Sequence, residues 1–260
     1  RMKKKVLILT GVAGALLIAV IAAALNAVFT VARVEVHFST CSQQGETEAV
    51  LLQNELDSAY VGKSTTFLKL EDVEESVERY PAFRVVSAEK HFPRTVVLTV
   101  EERRETYAFR RGNGLFAILD EEGVYLYDSE QNVNRRGGEN ILLEGFVLSA
   151  DSAGSTVTGE YAEELFAMGR VFAGSLGDAR ANVLSVTLSS EYDMGSYFLL
   201  QMQEGVTVQI FTPETHTEEK AQAVLEKYLS LSETERTYGF FDVIDTIDGG
   251  FTVSNHRDSL

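Results

Sequence analysis

Four groups of residues in this 260-residue chain have side chains suited to chemistry. Gly62-Lys63-Ser64-Thr65 has the closing residues of a phosphate-binding loop, whose backbone amides cradle a phosphate while the lysine neutralises it. Such a loop needs a glycine five residues before Gly62, and Asp57 stands there. It also needs a preceding strand, whereas residues 46–60 have helical periodicity, so the segment reads as a helix-to-helix loop. His37, His91, His216 and His256 are scattered, without the spacing that puts two imidazoles on one metal. Asp242, Asp245 and Asp248 recur at every third position. A calcium loop takes ligands at alternate positions and a distal glutamate, and on a strand the three cannot share a face. Asp248 reads as a turn residue. Cys41 is the only cysteine, which excludes an intrachain disulfide and a multi-cysteine metal site and leaves pairing with another chain open. No Gly-x-Ser-x-Gly elbow exposes a nucleophilic serine. The expectation is a protein that is not an enzyme and has no catalytic, cofactor or metal site. Two carboxylates converging in a cleft are the enzymatic alternative that residue types leave open.

The elements around these residues start from residues 6–32, an apolar run with no charged residue. At 1.5 Å per helical residue, about 20 such residues cross a ~30 Å hydrocarbon core. Arg1, Lys3, Lys4 and Lys5 precede the run with no acid among them, which predicts a cytoplasmic N-terminus and an extracytoplasmic remainder. A cleaved signal peptide has a shorter apolar core, usually 7–15 residues, so a retained anchor is expected. Four of the 23 basic residues precede the run, leaving 19 against 39 acids, a net −20 outside. That charge disfavours nucleic acid and anionic lipid surfaces as partners of the outer part.

Beyond the anchor, Val34, Val36 and Phe38 alternate with Arg33, Glu35 and His37, the pattern of a half-buried strand. Residues 39–45 read as a polar turn. Ala49, Leu52, Leu56 and Ala59 lie on one face of a first helix, and Val73, Val77 and Tyr80 on one face of a second that ends at Pro81. Glu75 and Arg79 have i,i+4 spacing on the second. Residues 84–92 and 95–100 are strands. The order is strand, helix, helix, strand, strand, and two short helices can cover one face of such a small sheet. From Arg103 the pattern changes. Residues 107–110 and 115–119 flank Gly112-Asn113-Gly114, a hairpin signal, and 124–127 extend the meander after a turn at 120–123. A polar loop at 129–139, a helix at 160–176 and strands at 183–188, 197–202 and 206–211 follow. Thr215-His216-Thr217-Glu218 fits a capping box for another helix, with Ala221, Val224, Leu225 and Tyr228 on its apolar face. The strands 240–247 and 251–254 meet at Asp248-Gly249-Gly250, giving a mixed sheet with two helices.

His91-Phe92-Pro93-Arg94, the strand after it and Glu101-Glu102-Arg103 resemble the end of the POTRA domain in the bacterial division proteins FtsQ and DivIB. Phe67-Leu68, followed by a helix ending at Tyr80-Pro81, is similar to the same domain. Leu119-Asp120-Glu121-Glu122-Gly123-Val124 is similar to a hairpin of the family's next domain, and residues 140–145 to its following loop. The chain departs from the family pattern at Glu105, where proline is frequent, and at Ile247-Asp248, where a Leu-Arg pair is frequent. The resemblance implies an α+β protein with a single N-terminal transmembrane helix, a βααββ POTRA domain and a mixed β-sheet domain with two helices. The implied division is a cytoplasmic tail at 1–5, the transmembrane helix at 6–32, POTRA at 33–102, the β domain at 103–255 and a tail at 256–260. The implied role is a non-enzymatic divisome scaffold without cofactors, located in the cell membrane at the septum. Its implied partners are FtsB/DivIC-like and FtsL-like bitopic proteins, through which septal peptidoglycan synthesis is controlled. In the family a partner adds a strand near the terminal hairpin, which here points to Phe240, Phe241, Val243, Ile247, Phe251 and Val253. Alternatives are a POTRA-type module of a secretion or envelope-assembly complex and an anchored extracytoplasmic sensor.

Overall fold

The computed structural model describes residues 14, 16–21, 23–24, 27–191 and 195–256. The expected tail at 1–5 and the first part of the 6–32 helix lie outside them, as does most of the tail at 256–260. Where described, residues 14–28 are helical. Among the described residues no helix is long and apolar enough to cross a membrane. The chain divides between Glu102 and Arg103 into two units.

The first unit runs β1 (Arg33–Ser39), α1 (Gln43–Tyr60), α2 (Leu70–Glu78), β2 (Phe83–His91) and β3 (Thr95–Glu102). Its sheet has the order β1-β3-β2, with β1 parallel and β2 antiparallel to the central β3. Alternation in β3 sends Val96, Leu98 and Val100 inward to meet Leu52 and Leu56 of α1 and Val73 and Val77 of α2. Each such aliphatic side chain contributes roughly 1.5–3 kcal/mol by leaving water.

Helix α1 begins earlier than its apolar periodicity indicates, because Ser42 caps it and accepts from the Gly45 amide at 2.9 Å. The buried Glu102 carboxylate at the end of β3 accepts from the Cys41 amide at 2.6 Å, the Ser42 amide at 3.0 Å and the Ser42 hydroxyl. The segment expected to be a plain polar turn is thus half cap. Arg79 pairs with Glu55 of α1 at 3.3 Å, so its ion pair joins two helices instead of stabilising one. The Gly62-Lys63-Ser64-Thr65 loop connects the helices, as expected, and its backbone bonds residues 29–31.

The second unit contains β4 (Glu105–Arg110), β5 (Phe116–Asp120), β6 (Tyr125–Ser129), β7 (Ile141–Glu144), β8 (Leu148–Ser149), β9 (Thr158–Gly159) and α3 (Ala162–Leu176). It continues with β10 (Val183–Glu191), β11 (Gly195–Met202), β12 (Thr207–Phe211), α4 (Thr217–Ser230), the short α5 (Glu233–Arg236), β13 (Phe240–Asp245) and β14 (Phe251–His256). Nine strands form one mixed sheet, ordered β14-β13-β12-β11-β10-β7-β4-β5-β6, while β8 and β9 pair separately. Leu165 and Phe172 of α3 and Val224, Leu225 and Tyr228 of α4 share a core with Tyr107, Leu143, Phe198, Leu200, Val208 and Phe241 of the sheet.

One expectation needs correction here, and another gains detail. Residues 140–145, expected as a loop, include β7, which lies between β4 and β10 and is parallel to both. Ile141 and Leu143 are buried there, and four residues are too few for periodicity to distinguish a strand from a loop. The loop at 129–139 is polar but held in place. Buried Glu105 accepts from the Arg135 amide at 2.6 Å and the Tyr127 hydroxyl at 2.8 Å, and pairs with the Arg135 guanidinium at 2.9 Å. Asn134 donates to the Glu105 carbonyl and to Asn140. Burial, together with the neighbouring Glu105, pushes the Tyr127 hydroxyl up to about 12. The residue that departs from the family pattern therefore organises this loop.

A Cβ at Gly45 would lie 2.2 Å from a Glu102 carboxylate oxygen. Gly45→Ala is therefore expected to lower the stability of the full chain in urea unfolding. A double-mutant cycle with Glu102→Ala should return a coupling of about 0.5–3 kcal/mol. Additive effects would show that the helix start does not depend on this contact.

Candidate partner-binding edge

The terminal hairpin forms where expected, but β13 ends at Asp245, two residues before the expected boundary. The Thr246 amide donates to the Gly250 carbonyl at 2.8 Å and the Gly249 amide to the Thr246 carbonyl at 3.0 Å. Gly249 takes φ 85°, a left-handed conformation that glycine adopts without steric cost. Ile247 therefore stands at a turn, fully exposed.

Alternation divides the six expected contact residues. Phe241 and Val243 face the core and are 1% and 0% exposed. A six-residue strand with phenylalanines on both faces does not itself say which side is covered. Phe240 is half-buried on the opposite face. Phe251 and Val253 are paired with Asp245 and Val243, and they pack partly against the core at the sheet margin. Among the described residues, β14 pairs in the sheet only with β13, so its second side is a free edge. The opposite edge is different. Near β6 the Tyr125 amide donates to the Ser155 carbonyl at 2.9 Å, and Gly154 donates back to Tyr125 at 2.7 Å. An uncovered edge offers backbone donors and acceptors to another strand.

A buried cation fixes this edge. Lys220 of α4 is 0% exposed. Its ammonium donates to the Phe211 carbonyl at 2.8 Å, the Thr212 carbonyl at 3.0 Å and the Thr215 hydroxyl at 3.0 Å, and pairs with Asp245 at 2.8 Å. Asp245 also accepts from the hydroxyls of Thr212 and Thr215. One side chain thus joins the end of β12, the start of α4 and the end of β13. Burial alone would push the Asp245 carboxyl up, but bonds from Lys220, Thr212 and Thr215 outweigh it and bring it from 3.8 to about 2. Thr212 and His216 adopt left-handed backbone, φ 45° and 52°, in the same connection, a cost that the surrounding bonds must hold in place.

The expected capping box at Thr215 does not form. Its hydroxyl serves Asp245, His216 occupies the cap position, and no side chain caps α4. The His216 ring instead reaches the Gly249 carbonyl at 3.0 Å and lies 6.2 Å from the Phe251 ring. The three aspartates have separate tasks: Asp242 pairs with His256 at 3.2 Å, Asp245 with Lys220, and Asp248 accepts from Thr246. Periodicity did not signal the Lys220 network, although a lysine on the apolar side of α4 was the available clue.

A shallow cleft of 430 Å³ brings Glu163, Glu164, Glu218 and Glu219 near His216. These acids occupy the first turns of α3 and α4, where they complement the helix dipoles. Among the described residues no group of three or more His, Cys, Asp or Glu side chains is placed to hold a metal.

Residues 34–103 match the family model of the POTRA domain, FtsQ-type. No curated protein matches the chain significantly. The βααββ unit is thus a POTRA domain, and the chain is a POTRA-domain protein of mixed α+β structure. The FtsQ type of that domain supports the FtsQ/DivIB identification and, with it, a cell-division scaffold role.

Removing either side of the latch is expected to have unequal effects. Asp245→Asn leaves a buried ammonium without its counter-ion and should cost about 3–5 kcal/mol in urea unfolding. Lys220→Met removes the charge itself and should cost about 1–3 kcal/mol through the unpaired carbonyls. Because the folded Asp245 carboxyl titrates near 2 and the unfolded group near 3.8, its contribution is complete above about pH 4 and is lost as pH falls toward 2. Lys220→Met should flatten that acid limb.

Proposed function

We propose that this protein is a membrane-anchored, non-enzymatic scaffold of the divisome, with its N-terminus cytoplasmic and both domains extracytoplasmic. It binds FtsB/DivIC-like and FtsL-like bitopic proteins and through them helps control septal peptidoglycan synthesis. The observation that carries this reading is the FtsQ-type POTRA domain at residues 34–103. The charge-free run at 6–32 behind four cations supports the anchor and its orientation. Exposed Leu16, Leu17, Ile18, Val20, Ile21 and Val28 on its described part suit a lipid surrounding.

The partner contact lies on the free side of β14. An incoming strand continues the backbone ladder there, and its side chains cover Phe251 and Val253, with Ile247 and Phe240 at the margins. The Lys220–Asp245 latch supports this by holding the edge in one conformation before binding, which lowers the ordering cost of association.

A fusion with the fluorophore at the cytoplasmic end should form a midcell band that appears with constriction. An even membrane signal throughout the cell cycle would overturn the divisome reading. Phe251→Lys and Ile247→Lys should each weaken capture of the bitopic partners, Phe251→Lys by about tenfold or more, equivalent to about 1.4 kcal/mol. Circular dichroism should show both variants folded. Unchanged partner affinity in folded variants would exclude the β14 edge.

A further inference from the structure

We infer that one end of the POTRA domain itself rests on the bilayer, inserting Phe67 and Phe92 among the lipids with Lys63 and Arg94 at the phosphates. This rests on the membrane anchor proposed above and adds a second, peripheral contact to it.

Attachment of the chain positions this end. The Val31 amide donates to the Lys63 carbonyl at 2.8 Å, and Gly62 donates back to Val31 at 2.9 Å. Thr65 donates to Phe29 at 2.7 Å, and Ala32 to Arg94 at 2.8 Å. Residues 27–28 are still helical. No flexible spacer therefore separates the apolar run from the domain: the backbone passes from helix into domain hydrogen bonds at Phe29. The loop at 61–68 and the turn at 91–95 are held beside the point where the apolar run arrives.

The chemistry exposed there is unlike the rest of this acidic chain. Phe67 is 85% exposed and Phe92 60% exposed, and the Phe92 ring lies 6.3 Å from that of Phe29. The core of the domain closes without Phe67 or Phe92. Residues 61–68 and 91–95 contain no acid, and they carry the exposed cations Lys63 and Arg94. Exposed aromatics beside long cationic side chains fit the boundary between acyl chains and headgroups, where rings bury and charges reach phosphate. The overall negative charge does not oppose this contact, because exposed charges more than a Debye length away, about 8 Å at physiological salt, are largely screened.

The sequence contains no tryptophan, so single-tryptophan variants of the full chain report one position each. Leu17→Trp, Phe67→Trp, Phe92→Trp and Gln44→Trp would be reconstituted in phosphatidylcholine–phosphatidylglycerol vesicles with brominated acyl chains. Gln44 lies at the opposite end of α1, about 25 Å away at the helical rise. Leu17→Trp, Phe67→Trp and Phe92→Trp should be quenched severalfold more than Gln44→Trp. The charge reversals Lys63→Glu and Arg94→Glu together should reduce quenching at Phe92→Trp and leave Leu17→Trp unchanged. If Leu17→Trp is quenched but the two loop probes match Gln44→Trp, the peripheral contact is overturned and the anchor stands. Blue-shifted loop probes without quenching would also overturn it, because protein and not lipid would then cover them. An unquenched Leu17→Trp would overturn the anchor reading together with the contact.

Discussion

An open β-sheet satisfies its interior backbone groups by pairing and leaves a row of donors and acceptors at each margin. That constraint governs the second unit of this protein. Nine strands stack in one ladder, and both long helices contribute to its single large core. At the β6 margin the chain bonds its own 154–155 segment. At the β14 margin no further described strand is present. The strand at that margin comes last in the sheet and carries half-buried apolar side chains. An edge of this kind is an aggregation hazard unless it is short, charged or occupied.

Buried charges stand at three points where the backbone turns. Glu102 collects the amides before α1, Glu105 collects the loop after β6, and Lys220 collects the carbonyls after β12. Each is at most 4% exposed, and each meets opposite charge or several dipoles, the condition under which a buried charge is tolerated. These contacts contribute geometry more than net free energy. A hydrophobic residue at the same places would leave the loop amides or carbonyls without partners. Regular strands and helices supply the hydrophobic stabilisation, and these groups decide how the connections between them run.

The first unit also joins two kinds of contact. Its helices cover one face of a three-stranded sheet, while backbone bonds tie residues 29–32 to the far ends of the same elements. An FtsQ-type POTRA domain is therefore attached without slack to the apolar segment before it. Rotation of the helical residues 27–28 against the domain would break several hydrogen bonds together.

Local periodicity in the amino-acid sequence determined the strand–helix–helix–strand–strand order of the first unit, the GNG and DEEG hairpins, both long helices of the second and its terminal hairpin. Those features depend on residues a few positions apart, whose spacing records which face is buried. The phenylalanine-rich strands at the C-terminus were legible as a hairpin. Only the fold separated Phe241 and Val243 in the core from Phe251 and Val253 at the margin. It likewise decided that residues 141–144 are an internal parallel strand, that Thr215 binds Asp245 instead of capping a helix, and that Lys220 is buried. The reason is common to all of these. Pairing partners, sheet edges and counter-ions are supplied by residues distant in the chain, and no local pattern encodes which of them will meet.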